Sequence, residues 1–160
     1  MTLAENTRKA TNADADSIRD LVFSVLREYR LEPDPDGTDA DLLDIERNYH
    51  ARGGVFDVLE DATGRIVGSV ALLPIDASTC ELRKMYLAPQ TRGRGAGKRL
   101  LEHALRRASE LGFRRVVLET ASALKEAIAL YTRYGFRPYQ PPHLSKRCNG
   151  AYLLDLPPPR

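Results

Sequence analysis

Seven consecutive residues, Arg92-Gly93-Arg94-Gly95-Ala96-Gly97-Lys98, combine three glycines with three cations. Glycine carries no Cβ, so a large ligand can come against the backbone, and positive φ is cheap there. Cations favour an anion at the same place. If a helix begins here, its first amides lack partners within the helix and its dipole presents a positive end. The chemistry that fits is the seating of a pyrophosphate. Two common phosphate loops are excluded by spacing. A P-loop needs a glycine five residues before the Gly of Gly-Lys and a Ser or Thr after the lysine, but Arg92 and Arg99 occupy those positions. A dinucleotide fingerprint needs a third glycine where Lys98 stands.

The elements around the loop must position it. Glu81 to Leu87 reads as a strand that ends at Pro89, and Leu100, Leu101, Ala104, Leu105, Ala108 and Leu111 repeat at helical spacing after it. Arg114 to Thr120 reads as the next strand. A helix joins it to Glu81–Leu87, so the two should be parallel. Ahead of the loop, Val55–Glu60, Arg65–Leu73 and Cys80–Leu87 form an antiparallel meander, with Asp61–Gly64 as a hairpin connection. Further upstream, Thr7–Thr11 reads as a short edge strand. Ile18, Leu21, Val22, Val25 and Tyr29 mark a first helix, and Asn12, Asp14 and Asp16 are its candidate caps. A second helix is expected from Thr38 or Asp39 through Leu42, Leu43, Ile45 and Tyr49 to Gly53-Gly54. Ala151–Leu156 closes the sheet. The expected fold class is α/β, a mixed sheet of about seven strands flanked by four helices. The expected organisation is one domain over 1–156 with a proline-rich tail over 157–160.

The run Arg92-Gly93-Arg94-Gly95-Ala96-Gly97 resembles the Arg/Gln-x-x-Gly-x-Gly/Ala motif of the GNAT superfamily of acyl-CoA-dependent N-acyltransferases. Met85-Tyr86-Leu87-Ala88-Pro89 is similar to the strand end that precedes it there. Downstream, Leu130-Tyr131-Thr132-Arg133-Tyr134-Gly135-Phe136 resembles the family's LYxxxGF segment. The likeness spans most of the chain and is strongest from Glu81 to Phe136.

The resemblance implies acetyl-CoA as co-substrate and no metal. It implies that the strand before the loop diverges from its parallel neighbour to admit the pantetheine arm. The backbones of Met85, Tyr86 and Leu87 would then border that arm, with the Leu87 amide as an oxyanion donor. The amides of Arg92, Gly93, Arg94, Gly95, Ala96, Gly97 and Lys98 would hold the pyrophosphate. Tyr131 aligns with the general acid, a phenol that is protonated at neutral pH. Glu81 stands where relatives place a general base, with Glu119 as the alternative. One departure is visible: Leu124 occupies a position where many relatives carry a pantetheine-binding Asn, and Ser122 is the candidate replacement. The acceptor is expected to be a small-molecule or peptide amine, bound between Glu28–Thr38 and Tyr139–Arg147. The acids Glu28, Glu32, Asp34 and Asp36 would form a rim attractive to a cation.

Composition bounds these readings. Hydrophobic residues make up 42% of the chain and the net charge is +2, which suits a globular core and does not call for nucleic acid. No apolar run approaches the ~20 residues of a membrane span, and the N-terminal segment has no signal-peptide core, so the expected location is cytoplasmic. Cys80 and Cys148 read as free thiols, and no Cys/His cluster has metal-ligand spacing. His50, His103 and His143 are isolated. A monomer or a homodimer is expected. The rival from another class is a CoA-binding or partner-binding module without catalysis.

Overall fold

The computed structural model describes residues 6–158. The expected domain span and proline-rich tail therefore extend past the described residues at both ends. The elements are β1 (Asn6–Lys9), α1 (Ala15–Glu28), α2 (Ile45–Asn48), β2 (Val55–Glu60), β3 (Ile66–Pro74), β4 (Thr79–Leu87), α3 (Ala96–Glu110), β5 (Arg115–Thr120), α4 (Lys125–Arg133), β6 (Arg137–Pro138) and β7 (Gly150–Asp155). The strands form one sheet in the order β1-β2-β3-β4-β5-β7-β6. Among its pairings only β4–β5 is parallel. This is the expected mixed sheet with its meander and crossover.

Helices cover both faces of the sheet. Leu100, Leu101, Ala104 and Ala108 of α3 and Tyr131 of α4 pack against Val70, Leu72, Leu82, Val116 and Leu118. Ile18, Val22 and Leu26 of α1, with Ile45 and Tyr49, pack against Phe56, Val58, Ala71 and Leu73 on the other face. Alternate residues of β3 thus enter opposite layers, which is why this strand is a continuous apolar run rather than an alternating one. Each fully buried aliphatic side chain of this kind contributes roughly 1.5–3 kcal/mol.

The second helix differs from expectation. Instead of one helix from Thr38 to Tyr49, the chain makes a 3₁₀ turn at Ala40–Leu43, the single helical turn α2, and another 3₁₀ turn at His50–Arg52. Asp44 breaks the run with φ −147° and ψ 86°, and its carboxylate caps the Arg47 amide. Asp39 does not cap a helix. It is turned inward against Lys84 and Arg147.

Two features of β4 matter for function. Its register with β3 jumps from Ser69↔Tyr86 to Ala71↔Arg83, so Lys84 and Met85 together face Val70, the two-against-one count of a bulge. Lys84 takes φ +52° there, a left-handed conformation that costs a non-glycine residue of order 1 kcal/mol. The Ser69 hydroxyl donates to the Lys84 carbonyl at 2.7 Å, and the Lys84 ammonium is tied to Asp39. The second feature is the short pairing with β5, which covers only Thr79 to Glu81. Beyond the bulge the two strands part, while β5 stays paired with β7 as far as Thr120.

Candidate active site

The parting of β4 from β5 leaves the end of β4 open on one side. Ala88 donates to the Val67 carbonyl at 2.8 Å, so the neighbouring Gly68↔Leu87 pair is the non-hydrogen-bonded one of the antiparallel ladder. The Leu87 amide and carbonyl therefore point into the gap. The carbonyl is held by Arg92, whose Nη2 and Nε donate to it at 2.8 and 3.2 Å. The same guanidinium makes a forked pair with Glu28 of α1. Arg92 thus ties the strand end, the glycine loop and α1 together.

Pro89–Thr91 forms a short 3₁₀ turn, and Gly93 and Gly95 both adopt positive φ (82° and 75°), which swings the chain into α3. The first helical hydrogen bond runs from the Arg99 amide to the Gly95 carbonyl. Among the described residues, the amides of Gly93 to Lys98 donate to no backbone or side-chain acceptor. A row of unpaired amides at a helix N-terminus is an anion seat by geometry and by dipole. Gly97 closes the turn onto β4: a Cβ there would sit 3.3 Å from Leu87 Cδ1 and 3.6 Å from Leu130 Cδ2.

A cleft of about 400 Å³ runs from this row along the open edge of β4. It is lined by Met85, Tyr86, Leu87, Gly93, Gly95 to Lys98, Glu119, Leu124 and Tyr131, among others. Tyr131 is 5% exposed, its ring packs on Phe136 at 5.6 Å, and burial, with Tyr86 nearby, raises its phenol above the ordinary range. Burial likewise pushes the Tyr86 phenol up to about 12. A second cavity of about 210 Å³ lies against the first and shares Leu82, Arg83, Lys84, Tyr86, Glu119, Thr120 and Leu124 with it; Glu81, Ser145, Arg147 and Cys148 are among the residues that line it alone. Burial raises the Glu81 carboxyl, with Arg83 opposing and Glu119 adding to the rise. Glu119 accepts a hydrogen bond from the Ser145 amide at 2.7 Å.

Behind the second cavity lies a charged network that joins segments far apart in the chain. Asp39 takes both terminal nitrogens of Arg147 at 2.9 Å and the Lys84 ammonium at 2.8 Å. Burial would raise the Asp39 carboxyl, but these two cations hold it far below the usual range. Lys84 also donates to the Thr38 carbonyl and lies 3.3 Å from Asp41. Asp41 accepts from the Tyr49 hydroxyl.

The structure brings Glu81, Met85, Tyr86, Leu87, Gly93, Gly95 to Lys98 and Tyr131 to the two joined cavities. The Arg94 amide belongs to the unpaired row, although Arg94 does not line the cleft. The structure places two expected contributors otherwise. The Arg92 amide is already bonded to the Pro89 carbonyl. Ser122 is turned to Asn149, whose Oδ1 accepts from the Ser122 amide and whose Nδ2 donates to the Ser122 hydroxyl, and it lines neither cavity. Two of the four acids of the expected rim are committed internally: Glu28 to Arg92, and Asp34 to the Thr38 amide. Arg83, Lys84 and Asp39 are the site residues missed by sequence reasoning, whereas Arg147 ends the segment expected to border the acceptor and does line the second cavity. The +52° φ at Lys84 has no local signature.

Comparison with known proteins agrees with this geometry. Residues 19–136 match the family described as acetyltransferase (GNAT) family. The uncharacterised N-acetyltransferase YjgM of Escherichia coli (strain K12) is 40% identical over 134 residues, covering 81% of this chain and 80% of that protein. The crystal structure of a GNAT-family acetyltransferase from Staphylococcus aureus Mu50 superposes with a TM-score of 0.90 at 26% identity, over 96% of this chain and all of that one. A GNAT-family acetyltransferase from Elizabethkingia anophelis, crystallised with acetyl-CoA bound, shares the fold at a TM-score of 0.69 and 20% identity, over 95% of this chain and 98% of that one. With the family pattern covering more than half of its length, on a sheet that opens where an anion seat stands ready, the chain is a member of the acetyltransferase (GNAT) family.

Proposed function

We propose that this protein is an acetyl-CoA-dependent N-acetyltransferase that moves the acetyl group to a primary amine, of a small molecule or a peptide, by direct transfer in a ternary complex. The observation that carries the reading is the run of unpaired amides from Gly93 to Lys98 beside the open edge of β4. It fits a pyrophosphate at one end of a cleft whose other end holds Tyr131 and Glu119. Acetyl-CoA, when bound, supplies a thioester carbonyl and a thiolate leaving group.

The remaining work falls to this chain's own residues. The amides at the start of α3 hold the pyrophosphate. The exposed edge of β4 at Met85 and Leu87 aligns an extended arm as a neighbouring strand would. The Leu87 amide donates to the carbonyl oxygen as negative charge develops. Tyr131, kept protonated by burial, gives its proton to the departing sulfur. Glu81, its carboxyl raised above the ordinary glutamate range by burial, takes the proton of the attacking amine. Glu119 is the second candidate base, because it lines both cavities whereas Glu81 lines only the second.

Free thiol released from acetyl-CoA over a panel of amines tests the proposal. Amine-dependent release is expected. Acetyl-CoA binding with no release over the whole panel favours a non-catalytic CoA-binding module.

A further inference from the structure

The second cavity carries three cations, Arg83, Lys84 and Arg147. Two of them are already engaged. Lys84 and Arg147 close on Asp39 and Asp41 through hydrogen bonds and ion pairs of 2.8–3.3 Å, and Arg147 also donates to the Glu32 carbonyl. Counting charges, these two cations and two carboxylates sum to zero. Arg83 is different. Its side chain is 26% exposed, and its guanidinium donates no hydrogen bond among the described residues. It faces carboxylate oxygens of Glu81 at 3.5 Å and Asp41 at 3.9 Å, too far for well-formed hydrogen bonds. The Asp41 oxygen in question already accepts from Tyr49. The guanidinium is thus partly exposed to the cavity with donors that no acceptor among the described residues takes up, and these are available to a ligand. Arg83 also lines both cavities, and so stands where donor and acceptor meet.

We infer that the acceptor carries a carboxylate beside its reactive amine, and that Arg83 binds that carboxylate. This rests on the acetyltransferase reading above and names its substrate class: amino acids, or short peptides whose terminal carboxylate lies close to the amine. The planar fork of the guanidinium matches a carboxylate with two parallel hydrogen bonds. Glu81 and Glu119, on the same wall, suit the ammonium end of such a molecule and also disfavour a doubly charged phosphate group. A polyamine would bring its extra positive charge toward Arg83, a like-charge contact that disfavours it.

The test compares standard L-amino acids with their α-carboxamides and with spermidine, using the unaltered protein, by thiol release. Acetyl-CoA binding is checked separately by calorimetry. Amino acids should be acetylated, with kcat/KM about 30-fold or more above the matching carboxamides, the size expected when one partner of a buried charge pair is removed. Arg83→Gln should lower kcat/KM for the acids by a similar factor, chiefly through KM. It should narrow the gap to the amides and leave acetyl-CoA affinity unchanged. Arg83→Lys should recover part of the loss. Carboxamides or spermidine acetylated as well as the acids would overturn the inference, as would no acid being acetylated while acetyl-CoA binds. The acid–amide comparison holds even if an Arg83 variant folds poorly. Failure to bind acetyl-CoA would overturn the proposed function itself, and this inference with it.

Discussion

On the α3 side of the gap between β4 and β5, the charge-binding groups are backbone amides from one contiguous run, Gly93 to Lys98. On the α1 side they are side chains gathered from distant segments: Lys84 meets Asp39 across 45 residues, and Arg147 meets Asp39 across 108. A seat made of amides needs only glycines, a helix start and an open cleft, and little of it is buried charge. A wall made of buried ions is stabilising only while every member has its partner. The two sides should therefore fail differently. Damage to the loop should cost binding and spare the fold, and damage to the network should cost the fold.

The sharpest way to break the comparison is Asp39→Ala. It leaves Lys84 and Arg147 buried without their shared carboxylate and should destabilise the protein by about 3–5 kcal/mol in urea unfolding. A loss below about 1 kcal/mol would mean that water reaches this network freely. The Asp39 carboxyl is held low in the folded state, so its stabilisation is complete above the ordinary carboxylate range and is lost as acid drives the pH below it.

Next in size is Tyr131→Phe, which removes one hydroxyl beside the cleft and nothing from the amide row. Turnover should fall by about 100-fold with acetyl-CoA affinity unchanged. Unaltered turnover would remove Tyr131 from the role of acid.

The pH profile separates Glu81 from Tyr131. Burial raises the Glu81 carboxyl, so the base is protonated to higher pH than an ordinary glutamate. kcat/KM should rise with pH through that raised value and then level off. The Tyr131 phenol is also raised, so it stays protonated and adds no alkaline fall near neutrality. Glu81→Gln should flatten the rise; a retained rise would pass the role to Glu119. Stability should move the opposite way to activity. The folded state holds the Glu81 proton more tightly, so its contribution declines as pH rises from the ordinary glutamate range to the raised value.

The smallest effect is expected from Ser122→Ala. With its amide and hydroxyl turned to Asn149, acetyl-CoA affinity should change by less than about threefold, since neither group faces the cleft. A larger loss would show that Ser122 does reach the pantetheine arm.

The same contrast explains what could be read before the structure. The strand, loop and helix from Glu81 to Glu110 were legible because each signal is local: alternation, then glycines and a proline, then helical spacing. The buried network was not, because no local pattern distinguishes Lys84 from a surface lysine or Asp39 from a helix cap. The broken second helix follows from the same cause. Asp39 is recruited inward, and Asp44 leaves helical geometry to cap Arg47, so apolar spacing alone overstated the helix. Ser122 was assigned by proximity in sequence, and its partner Asn149 lies 27 residues away.

The central claim is that unpaired amides at the start of α3 seat the pyrophosphate of acetyl-CoA. Calorimetric titration of the unaltered protein and of Gly95→Glu with acetyl-CoA tests it most directly. Gly95 sits at φ +75°, where any side chain is strained, and glutamate adds a negative charge at the seat. The account predicts saturable one-to-one binding by the unaltered protein and affinity about 100-fold or more weaker in the variant, with the fold retained. Equal binding by both, or no binding by either, would contradict it.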